Sequence, residues 1–341
     1  MIVENFPDRT VIVDGKEYLY FGGTAYLGLP TNPSFQQALV NGIAKWGSFY
    51  GSSRQSNIKL SVFEKAETLF AKQIGSEKTL TTSSGTLAGK LVLESLSRSK
   101  STFYHYPKTH PAVLHAESMP LFENGKLHED LINNTEEHIV ITVDAVLALD
   151  VAPTSFQFLN HISSSKHITL VIDESHSIGV LGTNGEGIFK SISNKNIKRK
   201  VLVASLGKAL GLSGGVIAAD IDFIETIKKE ALFVSSSCAS PGYLECYLES
   251  QDIIKNQQRK LKANLSFLLE DLKASTALKF NINYPVIYFE GESVYDYFLN
   301  QGIIITNFKY PNYTGLMSRI VINANHTIAD LTELKQVLKG L

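Results

Sequence analysis

The sequence predicts an α/β fold, with a mostly parallel central sheet in a large domain and a smaller α+β domain at the C-terminal end. Three observations lead there. Apolar, β-rich runs bounded by turn residues recur at 79–83, 138–143, 168–172, 201–204 and 216–219, with helix-like stretches between several of them. Two of these runs, ITLVID and VLVAS, are almost continuously apolar, as strands covered by helices on both faces must be. From about Pro241 the pattern changes to a long helical stretch running through Lys273, then to mixed strands and helices around PVIYF, GIIITNF and RIVINA.

The elements divide the 341 residues into three parts, since a chain of this length exceeds the usual limit for one core. Residues 1–48, whose opening part through YLYFGGTAYLGLP reads as short strand and turn material, are expected to pack with the small domain. Residues 49–240 form the large domain, and 241–341 the small one. Hydrophobic residues make up 44% and charged residues 19%, which is ordinary globular usage and excludes a disordered or fibrous chain. Thirty-two basic residues against 33 acidic ones leave a net charge of -1, so no global field draws the chain to nucleic acid or an anionic membrane. Neither a leader-like start nor a bilayer-length apolar segment is present in the sequence, and a cytoplasmic protein is expected. Cys238 and Cys246 lie eight apart with no CxxC pair or adjoining His cluster, and read as buried thiols.

Three segments place polar or glycine residues just beyond an apolar strand. In SSGTLAG, Gly85 allows close backbone approach, and Ser84 and Thr86 put hydroxyls beside the unpaired N–H groups of a helix start. That describes a phosphate cradle, and equally an ordinary helix cap. In VIDESHSIG the strand delivers Asp173 to its own end, where a desolvated carboxylate needs a cation such as a protonated pyridine nitrogen. His176 is placed to reach a neighbouring ring substituent. Metal binding by Asp173, Glu174 and His176 is the competing reading, with no further cluster at ligand spacing to complete a shell, and Glu174 reads as structural. In ASLGKALGLSGG, Lys208 sits between glycines directly after a strand. Leu202 and Ala209 exclude a P-loop, and Val203 excludes a nucleophile elbow. What remains is a lysine poised to form a Schiff base. Together the three segments meet separate demands of one cofactor, pyridoxal 5′-phosphate (PLP).

The same residues resemble fold-type I PLP-dependent transferases and, within them, the α-oxoamine synthase family, over nearly the whole chain. FGGTAYLGLP looks like the family's F-x-x-N-x-Y-L-G-L, and GSSRQSNIKLSVFEKAE its G-G-S-R stretch. VIDESHSIGVLGTNGEG resembles D-E/D-A-H-S-x-G-x-x-G-x-x-G-x-G, and SLGKALGLSGG resembles T-L-G-K-A-x-G-x-x-G-G. The resemblance implies Lys208 as the Schiff-base lysine, Asp173 as partner of the pyridine nitrogen and His176 as donor to the ring oxygen. It implies that His110 stacks on the cofactor ring, although His105, His110 and His115 also fit structural roles. Ser205 takes the place of a phosphate-binding Thr. Arg319 resembles the arginine that holds the substrate carboxylate, and Thr24 stands where the family has a substrate-side Asn.

A homodimer follows from the likeness, with Ser235, Ser236 and Ser237 as candidates to reach the partner's phosphate. The implied substrates are an amino acid and an acyl thioester on CoA or a carrier protein. Departures gather on the acyl side: the region before YLGL is short, LALDVAPTSF lacks the glycine of M-D-G-D, Glu186 replaces a common basic residue, and Met317 replaces the first arginine of R-L-R-I. Those departures leave room for an aminotransferase. A catalytically silent partner subunit is a third reading, opposed by the retention of Lys208, Asp173 and His176.

Overall fold

A computed structural model describes residues 1–270, 272, 278–289, 294–309 and 316–341. Its large sheet has seven strands in the order Lys78–Thr82, Gly215–Ala219, Ile197–Ser205, Lys166–Asp173, Glu137–Asp144, Thr102–His105 and Met119–Pro120. The last five of these run parallel to one another, whereas Gly215–Ala219 is antiparallel to the strands on both its sides.

Alternation along these strands serves two cores at once. Val140, Val171, Val201, Val203 and Ile217 face one side, where helix Gly85–Ser97 covers them with Leu91, Val92 and Leu96. Ile139, Ile141, Leu170, Ile172, Leu202 and Ala204 face the other. Burial on both faces explains why the runs are apolar without a polar phase.

The second sheet has six strands, ordered Thr10–Val13, Lys16–Phe21, Ile303–Lys309, Leu316–Val321, Val286–Phe289 and Leu278–Phe280. The N-terminal hairpin therefore joins the C-terminal strands through the parallel pairing of Lys16–Phe21 with Ile303–Lys309. Helix Pro33–Trp46 packs on helix Pro241–Glu249 at very close range: a Cβ on Gly42 would lie 2.3 Å from the Gly242 carbonyl oxygen. Only glycine permits that approach. Glu245 holds the crossing by accepting from Lys45 and from Trp46 Nε1.

The long helical stretch expected after Pro241 is two helices, Pro241–Glu249 and Gln251–Leu269. Ser250, with ψ near 13°, leaves helical geometry in the sparsely populated bridge region and redirects the axis. The last residues of that expectation, around Lys273, lie outside the described residues. Cys238 and Cys246 are both free and buried. Among the described residues no helix is long and apolar enough to cross a membrane.

Candidate active site

Two neighbouring parallel strands end on carboxylates, because the register pairs Asp144 directly with Asp173. Both are buried, at 3% and 8% exposure. Two like charges this close in a desolvated place cannot both persist. Burial, reinforced by the Asp173 carboxylate beside it, pushes the Asp144 carboxyl well above the usual carboxylate range. Asp173 Oδ1 accepts the Ser175 N–H at 2.8 Å, and Oδ2 has no partner among the described residues. That second oxygen is available to a cationic N–H. Asp144 Oδ1 accepts the backbone N–H of His110 at 3.1 Å, which fixes the loop carrying that histidine.

The chain turns sharply after Asp173. Glu174, fully buried, accepts from the Ser177 hydroxyl and from the Ile188 N–H. Its carboxyl is therefore spent on the turn. Among the described residues no group of three or more His, Cys, Asp or Glu converges as a metal shell. His176 is half-buried, with Nδ1 2.8 Å from the Tyr26 hydroxyl. Burial, then the charges of Lys208 and Arg319, hold its pKa well below the ordinary value, so the ring is neutral. A neutral imidazole accepts at one nitrogen and donates at the other.

Lys208 follows strand Ile197–Ser205 in a turn closed by Leu206 N–H to Gly214 O and Leu212 N–H to Leu206 O. Its amine is half-buried and makes no hydrogen bond or ion pair among the described residues. Burial lowers its pKa, against the pull of Asp173 and Asp144. An uncompensated lysine in such a place is costly unless its chemistry is used.

Ser84 caps helix Gly85–Ser97, its Oγ accepting the Leu87 N–H at 3.1 Å, so the cap reading of this segment is realised. Gly85 makes its close approach to protein rather than to open space: a Cβ there would lie 2.7 Å from Ser205 Cα and N. The glycine thereby brings the helix start, with exposed Thr86, against Ser205. Ser205 in turn is tied to the Asp173 turn by its N–H bond to Ser175 Oγ at 2.8 Å.

His110 precedes the short 3₁₀ turn Pro111–Val113 and caps it, Nδ1 accepting from the Ala112 N–H. Burial lowers its pKa, and it feels both Asp173 and Lys208. His105 and His115 have structural partners instead: Ser118 Oγ for the first, and the Phe103 ring, 4.3 Å away, for the second.

Arg319, 6% exposed, donates to the Tyr288 hydroxyl at 3.2 Å and more weakly to the Gly23 carbonyl at 3.5 Å, while its buried Nε has no partner among the described residues. Burial opposes its charge, but Tyr288 and Tyr26 outweigh that and raise its pKa. Thr24, next to Gly23, lines a cavity of about 410 Å³ with Gly207 and Ser213 of the lysine turn. Ser235 and Ser236 donate to the Ala231 and Leu232 carbonyls of their own helix, and Ser237 is exposed. Glu186 accepts the Thr183 and Asn184 N–H groups, a turn-closing role.

Sequence reasoning missed Asp144, Ser175, Tyr26 and Tyr288. For Asp144 the signal was available, since HIVITVD has the same strand-then-carboxylate form as ITLVID. For Tyr288 no local signal existed, because PVIYF reads as any apolar strand.

Residues 147–338 match the family model described as aminotransferase class I and II, a span that contains Asp173, His176, Lys208 and Arg319. The chain belongs to that family. As a class I and II aminotransferase family member it is a PLP-dependent enzyme of the transferase type. Over its whole length it is 26% identical to an 8-amino-7-oxononanoate synthase of Dechloromonas aromatica, covering 94% of that protein, and 24% identical to one of Aliivibrio fischeri, covering 93%. Among solved structures, a serine palmitoyltransferase of S. paucimobilis superposes with a TM-score of 0.83 at 17% identity over 99% of this chain and 91% of that one. An 8-amino-7-oxononanoate synthase of Francisella tularensis superposes with a TM-score of 0.71 at 24% identity, over 95% and 97%. These superpositions show the fold-type I architecture. The residues present fit the cofactor: among the described residues Asp173 Oδ2 and the Lys208 amine are both unpartnered, and hydroxyls and helix-start N–H groups gather at Ser84, Gly85, Thr86 and Ser205.

Proposed function

We propose that the protein condenses an amino acid with an acyl thioester, using PLP held by Lys208. The observation that carries the reading is the half-buried Lys208 amine, without a partner among the described residues and under the opposing influence of Asp173, Asp144 and Arg319. The acyl half rests on the 8-amino-7-oxononanoate synthases, which match along the entire chain.

In this reading Asp173 holds the pyridine nitrogen protonated through Oδ2, and His176 donates to the ring oxygen. Ser84, Gly85, Thr86 and Ser205 receive the phosphate. His110 lies over the ring as a neutral flat group. Arg319 takes the substrate carboxylate on Nε, an assignment suited to a guanidinium with an unsatisfied buried donor. When bound, PLP supplies an electron sink for the carbanion left after the amino acid loses its α-proton or carboxylate. Lys208, made easier to deprotonate by burial, carries the proton to and from the substrate α-carbon. Thr24 borders the same cavity as the lysine turn, which supports its place on the substrate side. We further assign a cytoplasmic homodimer, with Ser235, Ser236 and Ser237 contributing across the interface, and no nucleic-acid or membrane partner.

The family match itself favours one rival, transamination. A titration of the PLP-loaded protein with a panel of amino acids, followed by absorbance, then repeated with acyl-CoA, separates the two. Release of free thiol only when amino acid and acyl-CoA are both present supports the proposal. Stoichiometric conversion to the aminated cofactor by an amino acid alone makes the protein an aminotransferase. No spectral response to any amino acid overturns both.

A further inference from the structure

We propose that Tyr288 is a positioning residue that holds Arg319 in place to receive the substrate carboxylate. The proposal rests on the reading of Arg319 given above and adds the residue that aims it. Tyr288 and Arg319 are register partners on the antiparallel strands Val286–Phe289 and Leu316–Val321, so their side chains leave the same face of the small sheet. Arg319 Nη1 donates to the phenol oxygen at 3.2 Å, and the phenol O–H donates onward to the Ala148 carbonyl. Ala148 lies four residues beyond Asp144, in the loop leaving the large sheet. One hydroxyl thus ties the arginine of one sheet to the loop that follows the carboxylate strand of the other.

Both hydrogen-bonding capacities of the phenol are used in this link. The remaining Arg319 contact, to Gly23 O at 3.5 Å, is too long to fix a guanidinium by itself. Nε is left buried and without a partner among the described residues, a state that costs free energy until an acceptor arrives. Burial holds Tyr288 protonated, so the phenol stays a donor to Ala148 while accepting from Arg319. Removing that hydroxyl releases a side chain with several rotatable bonds from its anchored geometry.

The test compares equilibrium binding of two probe pairs to PLP-loaded protein, read by absorbance: L-alanine against ethylamine, and L-serine against ethanolamine. Each pair differs only in the carboxylate. In Tyr288→Phe, which keeps the ring and its packing, the dissociation constants of the amino acids rise about tenfold, as the loss of one hydrogen bond to a charged group implies. Those of the amines stay at the parent value. Equal rises for amino acids and amines would mean a merely structural role and overturn the proposal, as would no rise at all. Arg319→Ala separates the two assignments. If it leaves the carboxylate preference intact, the Arg319 reading fails and the Tyr288 proposal with it. If it abolishes the preference while Tyr288→Phe does not, only the Tyr288 proposal fails.

Discussion

Asp144 and Asp173 show how register alone can divide the labour of two identical side chains. They stand side by side at the ends of parallel strands, and burial with the neighbouring charge raises the Asp144 carboxyl well above the usual range. Among the described residues Asp173 has an oxygen to spare, and Asp144 anchors the His110 loop. Replacing Asp173 by Asn should leave cofactor binding partly intact yet lower turnover by roughly 10- to 100-fold, the worth of one charge-assisted hydrogen bond. Steady-state rates on the PLP-loaded variant check this, and parent-like turnover would remove Asp173 from the assigned role. At this scale the sequence was readable wherever a residue ended an apolar run, as Asp173 and Lys208 do. Tyr288 and Tyr26 were invisible because their partners, Arg319 and His176, come from distant parts of the chain.

The turn 174–188 is the element on which the site depends. Glu174 is fully buried, and desolvation raises its carboxyl from 4.5 to about 7 even though Ser177 and Ile188 donate to it. The folded protein therefore binds this proton more tightly than the unfolded chain does. The associated stabilisation is complete below pH about 4.5 and is lost as the pH rises towards about 7. Its full size is about 3 kcal/mol. Glu174→Gln should flatten that part of the pH dependence, so denaturant unfolding of parent and variant across this window should converge at the acid end and diverge above neutrality. Parallel curves would contradict the account. Element boundaries were less legible than element types. The strands at 138–143 and 168–172 extend to Glu137–Asp144 and Lys166–Asp173, because pairing recruits flanking polar residues that composition assigns to turns. The bend at Ser250 had no signal, since serine is compatible with a helix interior and with its end.

For the whole molecule, the large sheet delivers Asp173 and Lys208 from adjacent strands, and the small sheet supplies Arg319. The N-terminal hairpin closes the arrangement by pairing with the C-terminal strands and carrying Gly23 and Tyr26 to Arg319 and His176. The sequence led to the expectation that the opening residues pack with the small domain, but the strand pairing itself had no local signal. PLP is expected to bond to Lys208 and to no other lysine. Borohydride reduction of the PLP-loaded protein, followed by peptide mass mapping, tests it directly. One pyridoxyl group is expected on the peptide containing Lys208, absent from a Lys208→Ala variant; a label on another lysine, or none, would rule out Lys208 as the attachment point.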